Sequence, residues 1–227
     1  MFDFKIQTTE GSARQGSLLT PHGKVRTPAF MPVGTQGTVK GVPVDQLHDT
    51  GAQMILANTY HLAIRPGEQV IKQLGGLHSF SGWSGPILTD SGGFQIFSLK
   101  GFRKVTEEGD TFRYHIDGSE HHFTPESIVD IQRIIGSDFM MMLDVCPPGN
   151  TDKQTWVDAL NTTTIWAKRG MKRFHETESK YGHSQILIPI VQGGTDKKLR
   201  EQSAMGLCEL DALAYAIGGL AVGAPKP

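Results

Sequence analysis

The sequence predicts an α/β protein of the (β/α)8 TIM-barrel type, and three observations favour this fold. Six short apolar runs recur along the 227 residues, and most of them end in polar residues or glycine. The runs do not alternate between apolar and polar residues, and helix-like segments separate several of them, which is typical of a parallel sheet buried on both faces. Polar residues at the ends of these runs favour a barrel, whose functional site lies on the βα loops. An open doubly wound sheet is the alternative.

Each apolar run is interpreted as one strand. The runs are TPAFMPVGTQG from Thr27, QMILANTYH from Gln53, GPILTDSGG from Gly85, DFMMMLDVC from Asp138, ILIPIVQGG from Ile186 and AYAIGGLAVG from Ala214. An eight-stranded barrel usually needs about 250 residues. We therefore expect a single barrel domain over residues 1–227 that is incomplete at its C-terminus.

Two helices have recognisable ends. In FTPESIVDIQRIIG, Thr124 is an N-cap, Pro125 takes the first helical position and Gly136 ends the helix. A longer helix is predicted from Asp152 to about Glu178.

The stretch around residues 101–123, between the apolar run from Gly85 and the helix capped by Thr124, departs from the alternation of apolar runs and helices. VTEEGDTFRYHIDGSEHHF alternates loosely, and Gly109 and the pair Asp117-Gly118 are turn signals. This pattern predicts an antiparallel hairpin insertion.

Composition excludes several classes of protein. The chain is 38% hydrophobic and 20% charged, with a net charge of −1, so no strong positive field indicates a nucleic-acid partner. Its two cysteines lack the spacing of a disulfide framework or a complete zinc cluster. There is no signal-peptide pattern, and no apolar run approaches the roughly 18 residues of a membrane helix. These features predict a soluble, cytoplasmic protein.

The predicted strand ends carry residues suited to a flat, polar ligand. They are Asn58, Asp90-Ser91-Gly92-Gly93-Phe94, Asp144, Gln192-Gly193-Gly194 and Gly218-Gly219-Leu220. Carboxylates accept hydrogen bonds, a glutamine both donates and accepts, and glycines let the backbone approach a ring. Guanine fits this set, because one carboxylate accepts both its N1–H and its 2-amino group, an interaction worth about 1–3 kcal/mol of discrimination. Phe94 would stack on the base, which is worth a further ~1–3 kcal/mol.

Structural explanations compete with this interpretation. DSGG is a common turn composition, and Asp144 could be an N-cap or a member of an ion pair. The basic residues Lys168, Arg169, Lys172 and Arg173 could contact phosphates, but a solvated helix face is the favoured explanation. His61 and the pair His121-His122 have no other metal-ligating residues at a suitable spacing in the sequence.

Seven ordered motifs together resemble the tRNA-guanine transglycosylase family. They are TPAFMPVGTQGTVKG, NTYHLAIRPG, GLHSFSGW, ILTDSGGFQIFSL, IGSDFMMMLDVC, VQGG and IGGLAVG. The resemblance implies a barrel enzyme that exchanges guanine at wobble position 34 of tRNA for a 7-deazaguanine, on the path to queuosine. It implies double displacement through a covalent enzyme–tRNA intermediate, with the base flipped out of its stack. Cys146 and LAVG resemble the bacterial branch, which uses 7-aminomethyl-7-deazaguanine (preQ1). The tRNAs would be those with G-U-N anticodons, for aspartate, asparagine, histidine and tyrosine.

The resemblance also implies a role for each site residue. Asp90 is the catalytic proton acceptor and a base ligand, and its substrate-binding segment is completed by Ser91, Gly92 and Gly93. Phe94 stacks on the base, and Asp144 accepts from N1–H and the 2-amino group. Gln192 contacts the opposite edge of the base, the Gly219 amide contacts O6, and the Leu220 carbonyl contacts the 7-substituent. We expect Asp90 and Asp144 to face each other across a narrow cleft.

Two elements of the family pattern do not occur in these 227 residues. One is the nucleophilic aspartate, in a segment resembling MFDC. The other is a zinc site made of Cys-x-Cys-x-x-Cys and a distant histidine, so zinc is expected only as a cofactor of full-length members. We therefore expect the 227 residues to be an N-terminal portion that does not catalyse exchange alone. The implied partners are tRNA, guanine and preQ1, with a homodimer in the full-length enzyme and no membrane.

Two other functions stay open. The chain could be a non-catalytic, tRNA-binding partner subunit of the same family, although the presence of both Asp90 and Asp144 argues against this. It could also be an unrelated barrel enzyme that binds a phosphorylated metabolite, with the glycine pairs as phosphate cradles.

Overall fold

The protein is described by a computed structural model that covers residues 1–93, 103–114 and 116–220. Its residues group into two compact units. Unit 1 comprises Met1–Asp90, Ile131–Met140 and Ser179–Ile186. Unit 2 comprises the described residues of Ser91–Asp130, Met141–Glu178 and Leu187–Pro227. The expected single barrel domain over residues 1–227 stays a prediction.

The described residues form the following strands and helices. The strands are β1 (Asp3–Glu10), β2 (Ala13–Thr20), β3 (Gly23–Thr27), β4 (Ile55–Asn58), β5 (Ile87–Asp90), β6 (Arg103–Val105), β7 (Asp110–Arg113), β8 (Glu120–Phe123), β9 (Phe139–Met141), β10 (Ile186–Ile188), β11 (Ile190–Val191) and β12 (Ala216–Ile217). The helices are α1 (Val44–Asp49), α2 (Thr59–Leu62), α3 (Glu68–Gln73), α4 (Leu77–Ser81), α5 (Pro125–Ile135), α6 (Lys153–Glu176) and α7 (Lys197–Cys208). Between α2 and α3 the chain is kinked over Ala63–Gly67, where Arg65 has an extended backbone.

Four strands form a parallel sheet in the order β10-β9-β5-β4. Strands β4 and β5 pair in parallel from Ile55 opposite Ile87 to Asn58 opposite Asp90, and β5 and β9 also pair in parallel. These strands arise from four of the predicted apolar runs, so the α/β class with a parallel sheet is confirmed. Within the ranges that the structure covers, the sheet does not close into a barrel, and the TIM barrel stays a prediction.

The strand predicted from Thr27 is wrong. The segment after Thr27 makes only one isolated parallel bridge, between Val33 and Leu56. Pro28 and Pro32 explain the difference, because proline has no backbone N–H to donate to a sheet.

Two antiparallel sheets accompany the parallel one, one before β4 in the sequence and the other between β5 and β9. The sheet β1-β2-β3, which the sequence analysis did not predict, occupies the N-terminus. The sheet β6-β7-β8 confirms the antiparallel insertion and adds a third strand to the predicted hairpin. Inside this insertion the fully buried Asp110 pairs with Arg103, with 2.6 Å between Oδ2 and Nη2.

Helix caps agree with the sequence signals. Thr124 and Ser127 cap the start of α5 reciprocally, with each backbone N–H donating to the other's hydroxyl at 2.9 and 3.0 Å. Asp152 accepts from the Thr155 amide at 2.9 Å, so α6 begins where predicted and ends two residues before the expected Glu178. Both predicted helices are confirmed.

The basic cluster on α6 has a structural role. Arg169 pairs with Glu126 through two hydrogen bonds of 2.8 and 2.7 Å, and Arg173 pairs with Asp130 through two of 2.9 Å. Both acids lie on α5, so the arginines hold the two helices together. Burial would raise the pKa of Glu126, but the hydrogen bonds from Arg169 outweigh it and the pKa is lowered.

Unit 1 has a well-defined hydrophobic core. Its buried members come from the parallel strands, from helices and from the segment between α4 and β5, namely Leu47, Ile55, Ala57, Leu62, Ile71, Leu77, Trp83, Ile87 and Ile135. Among the described residues, no helix combines the length and apolarity needed to cross a membrane.

Candidate functional site

Asp144 is the centre of the candidate site in unit 2. It follows β9 by three residues and is only 5% exposed. Its Oδ2 atom accepts a hydrogen bond of 2.6 Å from Gln192 Nε2, and its Oδ1 atom lies 3.5 Å from the Ser91 hydroxyl. A buried carboxylate needs such donors, and these two hold its oxygen atoms in a defined plane.

Gly93 packs directly against this carboxylate. A Cβ atom built on Gly93 would lie 2.5 Å from both the backbone carbonyl oxygen and Oδ1 of Asp144. Only glycine fits at this distance, so the DSGG segment has a steric requirement here that goes beyond turn formation.

Gln192 connects Asp144 to the last glycine pair. It follows β11, its backbone N–H donates to Ser203 Oγ on α7 at 3.1 Å, and its side chain is buried. A Cβ atom built on Gly218 would lie 2.8 Å from Gln192 Nε2, and one built on Gly219 would lie 2.9 Å from Oε1. Gly219 also has a φ of +75°, which favours glycine. The amide group of Gln192 is therefore enclosed by the Gly218-Gly219 backbone and Asp144.

Arg200 is a member of this site that the sequence analysis missed. It lies on α7, and its Nη1 atom donates to the carbonyl oxygens of Gly194 and Gly218, each at 3.1 Å. Arg200 therefore ties the loop after β11 to the loop after β12. The sequence feature that could have indicated Arg200 is its position in the first turn of the helix that Asp196 caps, shortly after the VQGG motif.

Asp90 lies in unit 1, at the end of β5. Its Oδ2 atom accepts a hydrogen bond of 3.2 Å from Asn58 Nδ2. Asn58 lies directly opposite Asp90 on the neighbouring strand β4. Asn58 Oδ1 in turn accepts from the His61 amide at the start of α2. This orients the Asp90 carboxylate from a neighbouring strand. That Asp90 faces Asp144 stays a prediction.

The remaining predicted residues are described only in part. Gly92 has a φ of +97°, and Leu220 is 49% exposed. Phe94 lies outside the described residues. In unit 2 the structure thus brings together Ser91, Gly93, Asp144, Gln192 and Gly219, five of the nine predicted site residues.

This cluster has the chemistry of a polar, planar binding site. It combines a carboxylate held by two donors, an amide with both donor and acceptor atoms, and glycine backbone without side chains. Its residues follow separate strands, so the site depends on the tertiary fold.

Comparison with known proteins identifies the family of the chain. The family described as queuine tRNA-ribosyltransferase matches residues 9–227. The chain belongs to the queuine tRNA-ribosyltransferase family. The resemblance inferred from the seven motifs is thereby confirmed.

Relatives in this family are similar over almost all of these residues. A queuine tRNA-ribosyltransferase of Pelotomaculum thermopropionicum is 55% identical over 223 residues, which are 98% of this chain and 58% of that protein. One of Solidesulfovibrio magneticus is 52% identical over 220 residues, covering 97% of this chain and 58% of the relative. One of Oleidesulfovibrio alaskensis is 50% identical over 224 residues, which are 99% of this chain and 58% of that protein. The chain therefore spans about 58% of the length of these family members.

Proposed function

We propose that a polypeptide containing these residues exchanges guanine for preQ1 at wobble position 34 of tRNAs with G-U-N anticodons, in queuosine biosynthesis. The observation that carries the proposal is the buried Asp144, held by Gln192 and Ser91 beside the bare backbone of Gly93. Membership of the queuine tRNA-ribosyltransferase family supports the same chemistry. The tRNAs would be those for aspartate, asparagine, histidine and tyrosine, in the cytoplasm.

Each contact to the base follows from the chemistry of guanine. The two Asp144 oxygens accept from N1–H and the 2-amino group, as a single carboxylate can. Gln192 meets the opposite edge, the Gly219 amide donates to O6, and the Leu220 carbonyl accepts from the aminomethyl group of preQ1. Phe94 stacks on the ring. This arrangement rejects adenine, whose corresponding edge presents an acceptor at N1.

The exchange is a double displacement. A carboxylate nucleophile bonds to ribose C1′ while the bond from C1′ to guanine N9 breaks, and guanine leaves with the electron pair of that bond and takes a proton from water. Incoming preQ1 gives its N9 proton to Asp90, N9 then attacks C1′ and expels the carboxylate, and Asp90 passes the proton to water. One glycosidic bond forms as another breaks, so the exchange needs no nucleotide cofactor. Asn58 keeps the Asp90 carboxylate oriented for the proton.

Zinc and the dimer belong to the proposal only for full-length family members. Cys146 is buried and Cys208 is exposed, and these two cysteines do not fit a Cys-x-Cys-x-x-Cys site. No step of the exchange is assigned to zinc here, and homodimerisation is proposed for the full-length enzyme.

Base binding tests the proposal directly. The purified chain is titrated calorimetrically with guanine, preQ1, adenine and inorganic phosphate. We expect guanine and preQ1 to bind and adenine and phosphate not to bind. Binding of phosphate without guanine would instead support an enzyme of phosphorylated metabolites.

Residues 1–227 alone are expected not to incorporate labelled preQ1 into tRNA. The physical reason is that double displacement needs the covalent nucleophile, which the family resemblance assigns to a segment outside these residues. Label transfer to a G-U-N tRNA is measured, with the same tRNA in which adenine replaces guanine at position 34 as the control. Incorporation by the 227-residue chain would contradict the assignment of the nucleophile.

Arg200→Ala is expected to weaken guanine binding by about tenfold. Arg200 holds the carbonyls of Gly194 and Gly218, and a hydrogen bond from a charged donor is worth about 1.5–3 kcal/mol, of which only part affects the base because the residue is half-buried. Calorimetric titration checks the affinity, and Arg200→Lys should recover part of it. Equal affinities of wild type and Arg200→Ala would show that the loops hold their positions without Arg200.

A further inference from the structure

A second polar cluster lies in unit 1, at the opposite end of β5 from Asp90. Asp138 immediately precedes β9, and its side chain is fully buried. Its Oδ2 atom accepts a hydrogen bond of 2.9 Å from the backbone N–H of Ile87, the first residue of β5. The cluster is therefore at the amino ends of parallel strands, whereas catalytic residues of barrel enzymes come from the carboxyl ends.

Two histidines approach the two oxygens of this carboxylate. His22, in the turn between β2 and β3, has its Nδ1 atom 2.6 Å from Asp138 Oδ1. His78, on α4, has its Nε2 atom 3.2 Å from Oδ2. The two imidazole rings are stacked, with centroids 3.7 Å apart and an angle of 18°. One ligand atom from each of the three residues lies within 4.8 Å of the others.

The charge of the cluster favours a cation. Among the described residues, no lysine or arginine lies within ion-pair distance of Asp138. A buried carboxylate without a lysine or arginine partner is a group whose negative charge a divalent cation would compensate.

The cluster is open to small solutes on one side. His22 and His78 line a cavity of about 140 Å³, together with His183, Tyr181, Gly76 and Gly136 among its walls. A water molecule occupies about 30 Å³ in the liquid, so the cavity accommodates the water ligands of a metal ion. The Nε2 atom of His78 is buried and faces Asp138 Oδ2 at 3.2 Å, so it lies beside the carboxylate as a second ligand atom would.

We infer that His22, His78 and Asp138 bind a divalent transition cation of the Zn²⁺, Co²⁺ or Ni²⁺ class. Two imidazole nitrogens and a carboxylate suit these ions, with bonds of about 2.0–2.2 Å and water completing a tetrahedron. Tetrahedral ligands would then be about 3.4 Å apart. On binding, His22 therefore moves away from Asp138 by less than about 1 Å, ligand atoms that are now up to 4.8 Å apart approach each other, and the stacked imidazole rings turn until the ion lies in both ring planes. The ion would join the β2–β3 turn, α4 and the start of β9, three segments distant in the sequence. Its role would be to stabilise the fold.

Metal titration of the chelator-treated chain tests this site. Zn²⁺ at about 100 times its dissociation constant should raise the thermal midpoint by about 5–10 °C. Co²⁺ should give the absorption of a tetrahedral site without a thiolate charge-transfer band, which excludes binding at Cys146 or Cys208. A wild-type chain that shows neither response overturns the inference, whatever the variants do.

Two conservative variants separate metal binding from simple hydrogen bonding. The variants are His22→Asn and His78→Gln. Their side-chain amides can donate a hydrogen bond to Asp138 but are poor ligands for these ions. Each should lower the affinity by more than the roughly 10–100-fold that loss of an outer-shell partner costs. His175→Gln, an exposed histidine on α6, is the matched control and should bind the metal like wild type.

Unchanged affinity in His22→Asn and His78→Gln would overturn the site. If either variant fails to fold, nitrogen-15 spectra of the wild-type imidazoles give the same decision. The Nδ1 signal of His22 and the Nε2 signal of His78 should shift on adding Zn²⁺, while the signals of His175 should not. Shifts confined to other histidines would contradict the assignment.

Discussion

Asp144→Asn is expected to weaken the binding of guanine by roughly 10–100-fold. The carboxylate accepts two parallel donors from the base, and such a pair is worth about 1–3 kcal/mol. Asparagine offers one acceptor and one donor. Because Gln192 Nε2 already donates to Asp144 Oδ2 at 2.6 Å, either orientation of the asparagine amide places its NH₂ group against a donor.

Hypoxanthine makes the measurement specific, because it lacks the 2-amino group of guanine. The affinities of both bases are measured calorimetrically for wild type and Asp144→Asn. The wild-type chain should prefer guanine, and the variant should lose most of that preference. Asp158→Asn is the matched control, because it makes the same chemical change at an exposed position of α6 and should leave both affinities unchanged.

An affinity within twofold of wild type would contradict the assigned role of Asp144. A non-catalytic tRNA-binding subunit predicts that outcome, because it has no need to read guanine. The thermal midpoints of the unliganded proteins show whether the variant retains its fold.

The parts of the fold that the sequence predicted depend on local signals. Thr124 and Asp152 are caps whose partners lie three residues away, so the starts of α5 and α6 can be found from a short window. The strands β4, β5, β9 and β10 coincide with apolar runs because both of their faces are buried. The positions of Asp144, Gln192 and Gly219 at the ends of these runs predicted them as site residues, and the structure brings the three together.

The features that the sequence did not predict depend on long-range contacts or on exceptions to a pattern. Every residue of β1 is exposed, so its apolar and polar residues do not sort into a buried and a solvent face that the sequence would reveal. The contact between His22 and Asp138 spans 116 residues, and nothing near either residue indicates it. The loop-tying contacts of Arg200 likewise require the positions of two other segments.

Gly93→Ala is expected to destabilise the chain by about 1–3 kcal/mol and to weaken guanine binding by about 100-fold. The new Cβ atom would lie 2.5 Å from the Asp144 carbonyl oxygen and from Oδ1, so the backbone or the carboxylate has to move. Overpacking of a well-packed interior costs about this amount of free energy. A displacement of the order of 1 Å in a positioning group can cost about 100-fold in function.

Gly206→Ala is the control that separates this steric effect from the general effect of replacing a glycine. Gly206 lies inside α7, and a Cβ atom there would meet only Thr164 Cγ2 at 3.5 Å, an ordinary contact. Alanine should therefore stabilise the helix by up to about 1 kcal/mol and leave base affinity unchanged. Urea unfolding and calorimetric titration measure both quantities. Wild-type affinity in Gly93→Ala would mean that Asp144 can shift without losing the base, and that its close packing against Gly93 has no part in recognition.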